Sequence, residues 1–213
     1  MQVALQPNCH GLSVTRFMDP FVYGDYPGTM KTIVGTRLPR FTKNQSEMVK
    51  GSIDFIGLNY YTINFAKDTK LIQEPRHYVG DRLKLFHLHF SLLSNLITCI
   101  FNLIPQQTYP NLPWGLQGFL EYFKNVYGNP PVYIHENGQV MEYNSSLNYL
   151  SRVEYLQGHI GGVLDAVRNG SNTKGYFVWS FLDSYELLFG YDYTYGLYYV
   201  NFSDPSFPRN QDF

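Results

Sequence analysis

The sequence predicts an α/β fold built around a parallel sheet. Three observations carry this expectation. Runs rich in β-branched and aromatic residues occur at 52–62 (SIDFIGLNYYT), 130–138 (PPVYIHENG) and 174–183 (KGYFVWSFLD), a composition that suits buried strands. Helical periodicity fills the stretch before the second run and the stretch before the third, and the alternation of strand and helix is the signature of parallel βαβ units. Each run also ends in groups that a plain turn does not need: Asn59, Tyr60 and Tyr61; Glu136 and Asn137; Trp179 and Ser180. Ligands of parallel sheets bind beyond the carboxyl ends of the strands, so these three ends are expected to share one site.

Taken in order, residues 19–30 (DPFVYGDYPGTM) are dense in Pro, Gly and Asp and read as a structured loop. Pro27 suits the first turn of a short helix ending near Gly35. Residues 37–42 read as another loop, and Ser46 is expected to cap a one-turn helix through Lys50. Segment 114–128 places Leu116, Phe119, Leu120, Phe123 and Val126 on one helical face, with Pro113 before it and Gly128 after it. Segment 149–169 puts Val153, Leu156, Ile160, Val163, Leu164 and Val167 on a second apolar stripe, stopped by Asn169 and Gly170. Segment 86–104 (FHLHFSLLSNLITCIFNLI) holds no Asp, Glu, Lys or Arg and approaches the ~20 residues that span a bilayer. Its His, Ser and Asn residues favour an insertion over a membrane span.

Sixteen basic residues face seventeen acidic ones, for a net charge of −1. No basic stripe stands out, which excludes nucleic acid as an expected partner. Aromatic residues make up 17% of the chain, with 19 Tyr and 16 Phe; tyrosine's apolar face and polar tip suit a pocket for a sugar. Cys9 and Cys99 lack metal-ligand spacing and define no disulfide framework. Residues 1–10 carry no signal-peptide pattern, yet sequons stand at Asn44, Asn144, Asn169 and Asn201.

Four stretches carry a family resemblance: GDYPGTMKTIVGTRLPRFT, DFIGLNYYT, PWGLQGFLEYFKNVYGNPPVYIHENG and RNGSNTKGYFVWSFLDSYELLFGYDYTYGLYYVNF. In this order they resemble the retaining β-glucosidases of glycoside hydrolase family 1, in its plant branch. The resemblance covers residues 16–70 and 113–207 and is weak at 1–15 and 71–112. It implies a partial (β/α)8 TIM barrel, with strands six to eight and their helices. It also implies that 1–213 is a single incomplete family domain, and that the substrate is a small-molecule β-glucoside processed without cofactor or metal. Oligomeric state is not set by the sequence. The family suggests the secretory pathway.

Retaining glycosidases use two carboxyl groups, one as nucleophile and one as acid and base. By the resemblance, Glu136 is the nucleophile, in HENG where His135 replaces the family's usual Thr; on its own, His135 reads as a packed His at a strand end. Tyr61 resembles the tyrosine that hydrogen-bonds that carboxylate, and Asn59 a pocket-lining neighbour. WSFLDSYEL resembles Trp-Ser-x-x-Asp-x-x-Glu-Trp. It implies that Trp179 stacks on the sugar and Glu186 accepts its outer hydroxyls, while Leu187 replaces an indole donor. Tyr195, before Gly196, matches an aromatic that closes the pocket.

The family's acid/base Glu lies in Thr-x-Asn-Glu-Pro, and no Asn-Glu pair occurs in this sequence. Gln73, Glu74 and Pro75 lack the Thr and Asn and are rejected for the role. The chain is therefore expected to be a fragment holding the nucleophile without the acid. The 71–112 stretch reads as an insertion or translated non-coding sequence. The alternative function is a catalytically inactive truncated remnant that at most binds sugar or pairs with a complementary half. A third expectation, a membrane tether, rests on 86–104 alone.

Overall fold

The computed structural model describes residues 11–62, 111–143, 150–187, 189–206 and 208–210. Among these, one unit holds residues 11–54 and a second holds residue 55 onward.

In the first unit, helix α1 (Gly11–Tyr23) runs straight through the stretch expected to be a loop from residue 19, with Pro20 inside it. Proline removes a helix hydrogen bond, but Met18 and Pro20 are both buried, and that burial outweighs local propensity. Helix α2 (Gly28–Val34) follows Pro27 as expected and passes into a 3₁₀ turn at Gly35–Arg37. Helix α3 (Lys43–Val49) begins one turn earlier than the sequence suggests. Its cap is Thr42 rather than Ser46. The Gln45 N–H donates to Thr42 Oγ1 at 3.3 Å, and the Thr42 N–H donates to Gln45 Oε1 at 2.9 Å, a reciprocal capping box.

In the second unit, the expected strands form as β1 (Ile56–Asn59), β2 (Val132–Asn137) and, beyond the two-residue β3 (Met141–Glu142), β4 (Thr173–Val178). They make a three-stranded sheet in the order β1-β2-β4. Both pairings are parallel, with Ile56 opposite Val132, Asn59 opposite Glu136 and Asn137 opposite Val178. All three strands therefore end on one rim. At the opposite rim Asn129 laces two connections together. Its Nδ2 donates to the Gly170 carbonyl at 2.9 Å, and its Oδ1 accepts from the Asn172 N–H at 2.9 Å. Two short antiparallel pairs complete the unit: β3 with β5 (Tyr193–Thr194), and β6 (Tyr199–Val200) with β7 (Arg209–Asn210).

Helices α4 (Trp114–Val126) and α5 (Leu150–Arg168) pack against each other, and α5 packs against β4. The α4 face is largely the one the sequence marks, with Leu116 and Leu120 fully buried. Val126 is the exception and is exposed. The α5 face is not. Its buried residues are Arg152, Tyr155, His159, Gly162, Val163 and Ala166, while Ile160, Leu164 and Val167 of the expected stripe are exposed. Beside Val163 and Ala166, the buried face consists of polar and aromatic groups with internal partners and of glycine, so apolar periodicity points mostly elsewhere.

Gly162 is there because α4 begins against it. A Cβ at Gly162 meets the Pro113 carbonyl oxygen at 2.9 Å, whereas a Cβ at Gly161 meets nothing within 4 Å. Opposite effects are expected from neighbouring substitutions. Gly161→Ala stabilises by about 0.5–1 kcal/mol through helix propensity. Gly162→Ala loses more to overpacking, about 1–3 kcal/mol, than it gains. Urea midpoints that move the same way in both variants contradict this packing.

His159 Nδ1 donates to the Tyr155 carbonyl at 2.8 Å, and burial holds its pKa below the ordinary 6.5. The unfolded chain therefore takes up a proton before the folded chain does as pH falls. Stability is expected to decline below about pH 6.5 until the lowered folded value is reached. His159→Gln removes that component, read as the difference between the two proteins' pH profiles in urea. Among the described residues no helix is long and apolar enough to cross a membrane. Segment 86–104, both cysteines, Asn144 and residues 73–75 lie outside the described residues.

Candidate active site

The rim where the three parallel strands end gathers most of the residues the sequence singles out. Glu136 is the penultimate residue of β2, half-buried. The Tyr61 hydroxyl, two residues past the end of β1, donates to Glu136 Oε2 at 2.6 Å. Backbone pairing fixes the approach: the Tyr60 N–H donates to the Glu136 carbonyl and the Trp179 N–H to the Asn137 carbonyl, each at 2.9 Å. Burial, and then the bond to Glu136, push the Tyr61 hydroxyl well above the ordinary tyrosine range. It is therefore a permanent donor and never a competing anion.

Trp179 follows β4 directly, and its Nε1 donates to Glu186 Oε1 at 3.3 Å. Burial raises the Glu186 carboxyl above the usual range. The indole N–H pulls it back, and the nearby Glu136 charge raises it again. Tyr195, 8% exposed, packs edge-on against Tyr61 with ring centroids 5.5 Å apart. Its hydroxyl is pushed up to about 12, first by burial and then by the carboxylates of Glu186 and Glu136. Asn59 is exposed at the end of β1, in register with Glu136. Leu187 is 88% exposed and packs on little. His135 points away from this cluster. Its ring covers Gly57 and lies 6.2 Å from Phe55 and 6.3 Å from Phe177, centroid to centroid. Among the described residues no three His, Cys, Asp or Glu side chains are grouped to hold a metal.

The sequence marks Asn137 as a strand-end group, but not the partners with which it holds this arrangement. Asn137 is completely buried. Its Nδ2 donates to the Tyr60 carbonyl at 2.7 Å and to the Tyr155 hydroxyl at 3.0 Å, and its Oδ1 accepts from the Tyr176 hydroxyl at 2.5 Å. The Tyr155 hydroxyl in turn donates to the Tyr61 carbonyl. One amide thus ties the ends of β1 and β2 to α5 and β4. Gly138 lets the turn close, since a Cβ there would lie 1.9 Å from the Trp179 carbonyl oxygen. In the sequence, Asn137 and Gly138 read as a strand end and its turn, with no sign of these bonds. A separate hollow of about 440 Å³, lined by Glu142, Tyr143, Tyr191, Asp192 and Tyr193, contains none of the expected site residues.

Comparison with known proteins places this geometry in context. The model of the family described as Glycosyl hydrolase family 1 matches residues 5–212. A cyanidin 3-O-glucoside 5-O-glucosyltransferase (acyl-glucose) of Dianthus caryophyllus is 52% identical over 91% of this chain and 38% of its own length. Beta-glucosidase 22 of Oryza sativa subsp. japonica is 46% identical over 90% of this chain and 36% of its own length. Among solved structures, a mutant of the rice β-glucosidase Os3BGlu6 in a covalent complex with Glc superposes with a TM-score of 0.78 at 30% identity. That match covers 92% of this chain and 42% of the rice one. The chain thus spans well under half the length of the relatives it matches. The superposition identifies the parallel sheet and its helices as part of a (β/α)8 barrel.

Proposed function

Since this chain belongs to glycosyl hydrolase family 1, we propose that it carries the nucleophile half of a retaining β-glucosidase site, with Glu136 as the nucleophile. The observation that supports this most is the Tyr61 hydroxyl on Glu136 Oε2 at 2.6 Å, on the rim where parallel-sheet enzymes keep their chemistry. A carboxylate that attacks a sugar's C1 must be aimed. A donor that never ionises holds one oxygen and leaves the other for the anomeric carbon. Trp179 offers the sugar's apolar face a stacking partner, Glu186 and Asn59 take its hydroxyls, and Tyr195 closes the side.

Retaining chemistry places the second carboxyl about 5–5.5 Å from the first. That group protonates the leaving oxygen, a contribution of about 10²–10⁴-fold. The sequence holds no Thr-x-Asn-Glu-Pro segment to supply it. We take 1–213 as one incomplete domain, and substrates that leave without a proton as the ones it processes. The test is 2,4-dinitrophenyl β-D-glucoside, whose leaving group departs as a stable phenolate. Release above background, with methyl β-D-glucoside untouched, is the expected result. A folded chain that releases nothing is the inactive remnant instead.

The identity to an acyl-glucose glucosyltransferase favours a second reading of the same site. An acyl-glucose also expels a stable anion, a carboxylate, as Glu136 bonds to C1. An acceptor hydroxyl then takes the glucosyl group, Glu136 is released, and the acceptor's proton passes to solvent. Transfer outrunning hydrolysis when a 1-O-acyl-glucose is supplied with cyanidin 3-O-glucoside supports this reading; free glucose as the main product rejects it.

A further inference from the structure

Tyr195 enters the site from outside the three-stranded sheet, on the segment that follows β5, and its backbone is gripped from several sides. Arg152, near the start of α5 and 2% exposed, donates through Nη2 to the Thr194 carbonyl at 3.1 Å and through Nη1 to the Gly196 carbonyl. Asp183, 4% exposed, accepts from the Gly196 N–H at 2.9 Å and from the Val200 N–H at 3.3 Å. The Ser180 N–H donates to the carbonyl of Tyr195 itself at 3.2 Å. One guanidinium therefore holds the carbonyls on both sides of Tyr195, and a carboxylate in its field holds the N–H of the next residue.

Burying a charged side chain is unfavourable unless it is fully bonded, and an apolar residue would serve helix packing alone at least as well. What a planar fork of fixed donors adds is geometry. It can bond two carbonyls two residues apart at once, which the single ammonium of lysine cannot reproduce. The ring placed in this way packs edge-on against Tyr61 at 5.5 Å, and Tyr61 is the donor to Glu136.

We propose that Arg152, with Asp183 as its counter-charge, is a positioning residue of the sugar site: it sets Tyr195, and through Tyr195 the approach of Tyr61 to Glu136. The catalytic part of this rests on the reading of Glu136 as nucleophile, while the placement of Tyr195 does not. The test therefore has two arms. In the first, 3-fluorotyrosine at position 195 is followed by ¹⁹F NMR in the full chain. Arg152→Lys shifts the resonance toward that of free fluorotyrosine and broadens it, whereas Val163→Ala, a core truncation on the same helix, leaves it in place. An unmoved resonance in folded Arg152→Lys overturns the proposal; because that variant keeps the charge, it answers the question even where Arg152→Gln fails to fold.

In the second arm, Arg152→Lys lowers kcat/KM for 2,4-dinitrophenyl β-D-glucoside by about 10-fold, as expected for a displaced positioning group. Arg152→Lys combined with Tyr195→Ala is no worse than Tyr195→Ala alone. Losses that multiply contradict action through Tyr195. A parent chain that releases no dinitrophenolate removes the glucosidase reading, and the NMR arm still decides the placement.

Discussion

Glu136→Gln is expected to cut turnover of 2,4-dinitrophenyl β-D-glucoside by about 10⁴-fold or more, the scale on which removing a nucleophile acts. The amide keeps the shape of the carboxylate and an oxygen for the Tyr61 hydroxyl, which donates to Glu136 at 2.6 Å. The unfolding free energy from urea titration should therefore stay within about 1 kcal/mol of the parent. The pairing also predicts a graded partner. Tyr61→Phe removes one hydrogen bond to a charged group, about 1.5–3 kcal/mol, and should slow the reaction about 10- to 100-fold. Equal rates for parent and Glu136→Gln, measured on folded protein, contradict the assignment. So does a Tyr61→Phe loss as large as that of Glu136→Gln, because a positioning donor cannot matter as much as the group it positions.

The second large effect falls on stability. Asn137→Ala leaves the Tyr60 carbonyl and the Tyr176 hydroxyl without the amide that bonds them at 2.7 and 2.5 Å. Each buried polar group left unmade costs about 1–3 kcal/mol, so a loss of about 3 kcal/mol or more is expected from a domain whose total stability is about 5–15 kcal/mol. Filling the volume is not a remedy: Asn137→Leu should be as damaging as alanine. Asn137→Asp should not rescue either. It keeps an acceptor for Tyr176 but turns an oxygen toward the Tyr60 carbonyl and buries a charge. Urea unfolding of the three variants reads this directly. A leucine variant as stable as the parent shows that Asn137 is filler rather than a clamp.

The parts of this structure that were legible in the sequence are those fixed by local composition. Three β-branched runs became three parallel strands, and the polar groups at their ends came to one rim because parallel strands must end together. Helix α4 showed its face because its buried residues Leu116, Leu120 and Phe123 are apolar. Helix α5 hid most of its face because four of the six residues it buries are an arginine, a tyrosine, a histidine and a glycine. A charged residue on an amphipathic helix reads as solvated. Arg152 is buried only because the carbonyls of Thr194 and Gly196, more than forty residues later, receive it. The same holds for Asn137, whose partners Tyr60, Tyr155 and Tyr176 lie on other elements, so its neighbours in sequence carry no trace of the clamp. Pro20 and Thr42 were missed for a simpler reason. Burial outweighed a helix breaker at one, and a Gln three residues on made the other the better cap.

As the proposed nucleophile, Glu136 is expected to bond covalently to the anomeric carbon of a β-glucoside. The most direct measurement incubates the chain with 2,4-dinitrophenyl 2-deoxy-2-fluoro-β-D-glucoside, in which the fluorine slows both steps while the good leaving group keeps the first faster than the second. Peptide mass spectrometry should then find one fluoroglucosyl group on Glu136, and none in the Glu136→Gln protein. A label on Glu186, Glu142 or another carboxylate, or an unlabelled folded chain, would contradict the account.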